Sequence, residues 1–201
     1  MKTIVITGPS GSGKSFLSNK LSKLFNNSII VDTDSYYRDN ILIRLLSIVF
    51  YDIYDRPLSI KRQEIKNTLR SIYNKDKLIS FYKYDFKRKI SSKSQRRITH
   101  KEDNQFLILE GIFAHRLDLN YKDTINILCE EEKQICFKRR LKRDQLERGR
   151  ESKEVYKKFN NSWNLFYKSI LNYQIRNNVI VINPENKMSY NKLIYNLKNL
   201  K

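Results

Sequence analysis

The sequence predicts an α/β fold, with a mostly parallel sheet flanked by helices. Three observations carry that expectation. Short apolar or β-branched runs, at residues 2–7, 106–109 and 179–182, are too brief for helices and show no polar alternation, as in strands covered on both faces. Between such runs lie longer segments whose apolar residues recur three or four apart, the helical spacing. The two kinds alternate along the chain, as parallel strands joined by helical crossovers must.

Taken in order, residues 2–7 form the first buried strand, and a glycine-rich turn comes next at 8–15. Phe16, Leu17, Leu21, Leu24 and Phe25 mark a helix over 16–25. Residues 28–31 make a second strand that ends at Asp32. The apolar stretch 41–50 fits either a helix or a strand, while Ile65, Leu69 and Ile72 place a helix over 60–73. Residues 78–86 alternate and are aromatic, as in a strand or hairpin arm. The most polar stretch, 87–103, reads as an exposed loop or hairpin tip. Central strands are expected at 106–109 and 124–129, a helix at 131–146, and a long aromatic-rich helix at 152–176. A last strand at 179–182 and a closing helix at 189–200 complete the chain. With 201 residues, no repeat and no Pro/Gly/Ser linker, one domain over 1–201 is expected.

Composition narrows the function. At 40% hydrophobic and 12% aromatic residues the chain is not disordered. No apolar stretch approaches the ~20 residues of a membrane span, and the amino-terminal apolar run is too short for a signal peptide, so a cytoplasmic protein without a membrane partner is expected. Cys129 and Cys136 form no CxxC pair and have no nearby His, which argues against zinc. His100 and His115 form no ligand or triad pattern. Forty Lys and Arg against 21 Asp and Glu give a net charge of +19. Such an excess fits a polyanionic partner, though a sequence so poor in Ala and rich in Lys, Asn and Ile also reflects base composition.

Gly8-Pro9-Ser10-Gly11-Ser12-Gly13-Lys14-Ser15 fits G-x-x-x-x-G-K-[ST] without a mismatch. The glycines let backbone N–H groups turn inward toward phosphate oxygens, and the helix beyond them aims its positive end at the same place. Lys14 is expected to reach the β- and γ-phosphates and Ser15 to ligate Mg²⁺. A strand before and a helix after the motif are the context that confirms it. ATP with Mg²⁺ is the expected cofactor pair. The chain lacks N-K-x-D, which argues against a GTPase, and is short for a helicase motor.

Two carboxylates sit where expected strands end. Asp34 follows the second strand, and Glu110 follows the run 106–109. Loops at the carboxyl ends of parallel strands line the ligand crevice. Further on, residues 138–150 carry seven basic and two acidic residues, with Gly149 between Arg148 and Arg150. Arginines on a segment that closes over the γ-phosphate meet the need for positive charge in phosphoryl transfer. A lid over about 138–152 is therefore expected.

The order of these motifs resembles the uridine kinase / phosphoribulokinase group of P-loop kinases, most of all the uridine–cytidine kinases, over roughly residues 2–176. Asp34-Ser35-Tyr36-Tyr37 is similar to the family's D-S-F/Y-Y, Tyr54-Asp55-Arg56-Pro57 to its Y/F-D-H-P, and Tyr84-Asp85-Phe86 to its Y-D-F. Leu109-Glu110-Gly111-Ile112 resembles L/F-E-G-I, and Arg143-Asp144 through Arg150 resembles R-D-x-x-E-R-G-R. The resemblance implies transfer of the γ-phosphoryl group of ATP to a nucleoside 5′-hydroxyl. It implies Asp34 as the base, Asp55 on the ribose, Tyr37 and Tyr84 at the acceptor, and Ser15 and Glu110 on Mg²⁺. It also implies Lys14, Arg143, Arg148 and Arg150 around the transferred group, Arg140 beside the acceptor, an acceptor-side hairpin over about 77–101, and often several copies of the chain together.

The chain departs from that pattern on the acceptor side. Lys89 stands at the family's base-reading His, Ser91 at an Arg, Arg56 at the His of Y-D-H-P, and Lys158 near a polar position. A Lys only donates hydrogen bonds, whereas a neutral His also accepts. Two alternatives to a nucleoside kinase stay open. One is a kinase of the same family with an anionic acceptor, a sugar phosphate or carboxylate; the other is a basic P-loop protein that binds nucleic acid. Residues 83–101 hold eight basic residues and one acid, and with 138–150 account for 12 of the 19 excess charges. Both segments border the expected phosphate and acceptor sites, which favours triphosphate handling over a nucleic-acid partner.

Overall fold

The apolar runs become strands of one parallel sheet, those at 2–7 and 106–109 inside it and that at 179–182 at its edge. The computed structural model describes residues 1–49, 53, 59–101, 105–117 and 124–199. In chain order its elements are β1 (Thr3–Thr7), α1 (Lys14–Leu24), β2 (Ile29–Asp32), α2 (Ile41–Val49), α3 (Arg62–Tyr73), β3 (Leu78–Asp85) and β4 (Ile90–Arg97). Then come β5 (Leu107–Glu110), β6 (Thr124–Cys129), α4 (Lys133–Arg148), α5 (Ser152–Arg176), β7 (Val179–Ile182) and α6 (Lys187–Lys198). Short 3₁₀ turns lie at Thr33–Ser35 and Ala114–Leu117.

The sheet runs β2-β5-β1-β6-β7, all parallel, so the chain leaves β1 for the edge and returns twice. Every residue of β1 and β5 is buried, which is why these strands show no polar alternation. Their side chains still alternate between two cores. Val5, Val31, Leu107 and Leu109 pack with Ile65, Leu69 and Ile72 of α3 and with Ile79 and Phe81 of β3. Ile4, Ile6, Ile108 and Ile127 pack on the other face with Leu17 and Leu21 of α1 and Leu193 and Leu197 of α6. A third cluster joins Leu128 and Phe113 to Phe166 and Ile170 of α5. Among the described residues no helix is long and apolar enough to cross a membrane.

The ambiguous stretch after residue 40 is helical, as α2. The polar stretch after Phe86 is not mainly a loop: β4 pairs with β3 through eight antiparallel positions, from Leu78↔Arg97 to Asp85↔Ile90. No residue of β4 is buried, so its Ser, Lys, Gln and Arg residues carry no period-two signal, and the strand exists through its backbone ladder. α4 runs two residues beyond the expected end, to Arg148, and is closed by Gly149 at φ 62.

Strand register brings the site loops together. Asp32 lies opposite Glu110, and Ile6 lies beside the same glutamate on the other side. The carboxyl ends of β1, β2 and β5 therefore finish level, and the loops they release meet at one edge.

Candidate active site

The first of these loops is the glycine-rich turn between β1 and α1. Gly11 has φ 91, and a Cβ there would run into the backbone carbonyl of Cys136 on α4. The turn thus rests directly on α4, and Arg139 of that helix donates to the Gly11 carbonyl at 3.1 Å. Lys14, the first residue of α1, folds back so that Nζ donates to the Pro9 carbonyl at 3.0 Å. The Ser12 hydroxyl inside the turn is buried without a hydrogen-bond partner. A buried orphan hydroxyl in a loop of inward N–H groups is a feature that a ligand oxygen satisfies.

Glu110, at the end of β5, is 93% shielded from solvent yet keeps both oxygens occupied: Ser15 donates to Oε1 and Ser18 to Oε2. Both serines lie on α1, so the glutamate is tied to the helix that begins with Lys14. Gly111 is next, and a Cβ there would strike Thr33 Oγ1, so the loops after β2 and β5 touch. Thr33 Oγ1 donates to the Glu110 carbonyl at 2.9 Å.

That contact places Asp34. Its carboxylate oxygens accept the Ile112 backbone N–H at 3.2 and 3.1 Å. Asp32 organises the turn from the other side, accepting the Asp34 N–H at 2.9 Å and the Ser35 hydroxyl at 2.6 Å. Desolvation among closely packed atoms, then the charges of Asp34 and Glu110, push the Asp32 carboxyl up to about 7.

An aromatic wall closes one side. Tyr37, Tyr84 and Phe86 meet edge-to-face, with ring centres 5.0–5.8 Å apart. Lys89 sits beyond them in a turn at φ 56. Asp85 Oδ1 accepts the N–H groups of Lys87 and Arg88 at 2.8 and 2.9 Å, and Asp39 accepts that of Ser91 at 3.0 Å. These bonds brace a left-handed conformation that a Lys adopts only under constraint. Across the cleft, Lys158 of α5 donates to Glu154 at 2.6 Å. Burial, with Arg150 and Lys89 nearby, lowers the pKa of its ammonium group.

The remaining side is made of arginines. Arg140, Arg143 and Arg148 of α4, and Arg150 just beyond it, surround the fully buried Asp144. Arg143 also donates to Ser10 of the phosphate loop at 3.2 Å, and the Arg148 guanidinium lies 3.8 Å over the Phe86 ring.

One cleft of about 200 Å³ gathers most of the residues expected from sequence: Ser10, Lys14, Ser15, Asp34, Tyr37, Tyr84, Lys89, Glu110, Arg140, Arg143, Arg148 and Arg150 all line it. Gly8, Pro9, Gly11, Ser12 and Gly13 form the loop beside it. Asp55 lies outside the described residues. Lys158, one of the acceptor-side departures, lines the cleft too, and so do Asp32, Phe86 and Ile112, to which the resemblance assigns no role. Phe86 and Ile112 belong to its motifs, while Asp32 is the last residue of β2 and caps the turn that holds Asp34.

The sequence model of the Phosphoribulokinase / Uridine kinase family matches residues 3–189. A uridine kinase of Haemophilus ducreyi is 34% identical over 163 residues, covering 76% of this chain and 71% of its own. One of Ureaplasma parvum is 30% identical over 197 residues, covering 92% and 90%. Among solved structures, a possible uridine kinase from Bacillus stearothermophilus superposes with a TM-score of 0.55 at 14% identity, over 90% of this chain and 88% of that one. The family model's match to residues 3–189, nearly the whole chain, places the protein in the phosphoribulokinase / uridine kinase family.

Proposed function

We propose that this protein is an ATP-dependent kinase that transfers the γ-phosphoryl group to the 5′-hydroxyl of a nucleoside, uridine or cytidine. The observation that carries the reading is convergence: the phosphate loop, a held carboxylate and an aromatic wall suited to a flat base open onto one cleft. Uridine kinases among its relatives support the same acceptor class.

In this reading the triphosphate lies along residues 8–15, where Lys14 exchanges the Pro9 carbonyl for phosphate oxygens. Asp34 accepts the proton of the acceptor hydroxyl as its oxygen attacks the γ-phosphorus and the bond to the β-phosphate oxygen breaks, releasing ADP. Arg143, Arg148 and Arg150 meet the charge that spreads over the transferred group, and residues 138–152 act as the lid that carries them. Tyr37, Tyr84 and Phe86 flank the base. Ser15 and Glu110 suit Mg²⁺, which keeps several waters and needs one or two protein oxygens beside substrate phosphates. Such an ion, when bound, neutralises phosphate charge. A place in pyrimidine salvage in the cytoplasm, and assembly from several copies, belong to the same reading.

One observation favours a second acceptor class. Lys89 and Lys158 line the cleft close enough to repel, an arrangement that an anionic sugar phosphate or carboxylate would relieve. A turnover assay with Mg-ATP against uridine, cytidine, purine nucleosides, ribulose 5-phosphate and glycerate separates the two. Turnover of uridine or cytidine is expected, and Lys89→His should raise the uridine rate. An anionic substrate turned over while every nucleoside stays inert would overturn the nucleoside reading.

A further inference from the structure

Asp144 has the densest set of opposite charges in the described protein. It is fully buried, and four guanidinium groups approach its two oxygens: Arg143 at 3.0 Å, Arg148 at 3.3 Å, Arg150 at 2.9 Å and Arg140 at 3.7 Å. The sequence spacing makes this possible. Arg140, Asp144 and Arg148 share one face of α4 at intervals of four. Gly149 then turns the chain left-handed, and the Arg150 N–H donates to the Asp144 carbonyl at 3.2 Å, bringing its side chain back to the same carboxylate.

Each arginine holds a second partner on a different element. Arg143 reaches Ser10 of the phosphate loop, Arg148 stacks on Phe86 beyond β3, Arg150 pairs with Glu154, and Arg140 donates to Ser162. Burial alone would raise the Asp144 carboxyl, yet the four arginines hold it below its ordinary value. Their crowding shows in Arg148, whose pKa burial and then Arg143 lower to about 10, with only Asp144 opposing. Guanidinium groups this close repel one another and would splay toward water without a shared counter-charge.

We propose that Asp144 is a positioning residue that gathers the four arginines before the nucleotide arrives, leaving their remaining N–H donors aimed at the phosphoryl group in transit. It does not touch the reacting atoms. Its charge fixes where theirs sit, so the site needs no rearrangement as charge develops on the transferred group. A negative charge so near a triphosphate weakens ground-state attraction, so the benefit falls on the transition state and not on ATP binding.

The proposal rests on the kinase reading, but its test needs no acceptor. Binding of Mg-ADP alone, and of Mg-ADP with aluminium fluoride as a mimic of the phosphoryl group in transit, is measured by calorimetry. Asp144→Asn is expected to bind ADP within about three-fold of the unsubstituted protein and to lose on the order of 10²-fold for the aluminium fluoride complex. Because part of the effect of Asp144 passes through Arg143 and the rest through Arg140, Arg148 and Arg150, the losses of Arg143→Gln and Asp144→Asn should combine to less than their sum in Arg143→Gln/Asp144→Asn. Where Asp144→Asn does not fold, the double variant, which removes one charge of each sign, is compared with Arg143→Gln: a further loss for the aluminium fluoride complex with ADP binding kept is expected, and no further loss overturns the proposal. Unchanged or tighter binding of the complex by Asp144→Asn, or full additivity in the double variant, overturns the proposal. A protein that turns over no nucleoside fails the kinase reading alone and leaves this comparison standing.

Discussion

Asp34 is held more tightly than a turn residue needs to be. Its carboxylate takes the Ile112 N–H, and its own N–H is taken by Asp32. Asp34→Asn keeps the size of the group and removes its basicity. Turnover should fall about 10³-fold while ATP affinity stays within about three-fold; activity surviving within ten-fold would remove Asp34 as the base. Asp34 and Glu110 were legible in the sequence because each follows a strand-like run, and parallel strands put such residues at one edge. Asp144 stood in a recognisable motif yet showed no role, since one of two acids among seven bases reads as part of a solvated helix face. Only the fold reveals that it is buried with arginines from both sides of Gly149.

At the scale of elements, α4 does two jobs that pull on its carboxyl end. Its middle supports the phosphate loop through Arg139 and the Cys136 carbonyl, and its last turn carries the arginines. Gly149 separates the helix from Arg150 at φ 62, in open space, so a methyl group added there meets strain and no collision. Gly149→Ala should cost about 1 kcal/mol of stability, read from urea unfolding, and lower turnover by a larger factor than that loss explains. Equal stability would mean that the left-handed turn is not enforced. Helices and inner strands were readable to within a few residues because burial on one face writes a period into the sequence and burial on both faces writes an unbroken apolar run. β4 was legible only through the hairpin over about 77–101 that the resemblance implies, because neither of its faces is buried, and neither the backbone ladder nor the bond from Ser91 to Asp39 leaves a trace in side-chain pattern.

For the molecule as a whole, His115 ties the sheet to the third cluster, its ring beside Phe113, Phe166 and Tyr173. Its Nδ1 shares a hydrogen bond with Thr7 at 2.8 Å and its Nε2 one with Ser169 at 3.0 Å, so one imidazole joins β1 to α5. Burial, and then Arg116, lower its pKa from 6.5 to about 3. The unfolded chain therefore takes a proton below about pH 6.5 while the folded chain does not. The stability carried by the neutral ring is whole above that pH and drains as pH falls toward 3. Between pH 7 and pH 5 the loss is about 2 kcal/mol. His115→Gln should narrow its stability gap from the unsubstituted protein by that amount over the same range, measured by urea unfolding. A gap that does not change with pH would mean the ring protonates in place. The sequence showed two isolated histidines, and nothing in their spacing separated this buried one from the half-buried His100.

The seat of the phosphate loop has one more consequence. Gly8 packs against Cys129 and Gly11 against the backbone of Cys136, so the loop at residues 8–15 rests on both cysteine-bearing segments, and both free thiols are buried. Burial raises them to about 12 and about 11, which leaves almost no thiolate at neutral pH. The protein thus carries two silent thiols whose alkylation reports how often the packing around them opens. Alkylation should be slow, should slow further when ATP clamps the loop, and should accelerate in Gly11→Ala; a rate indifferent to ATP would show that the loop moves without uncovering the thiols.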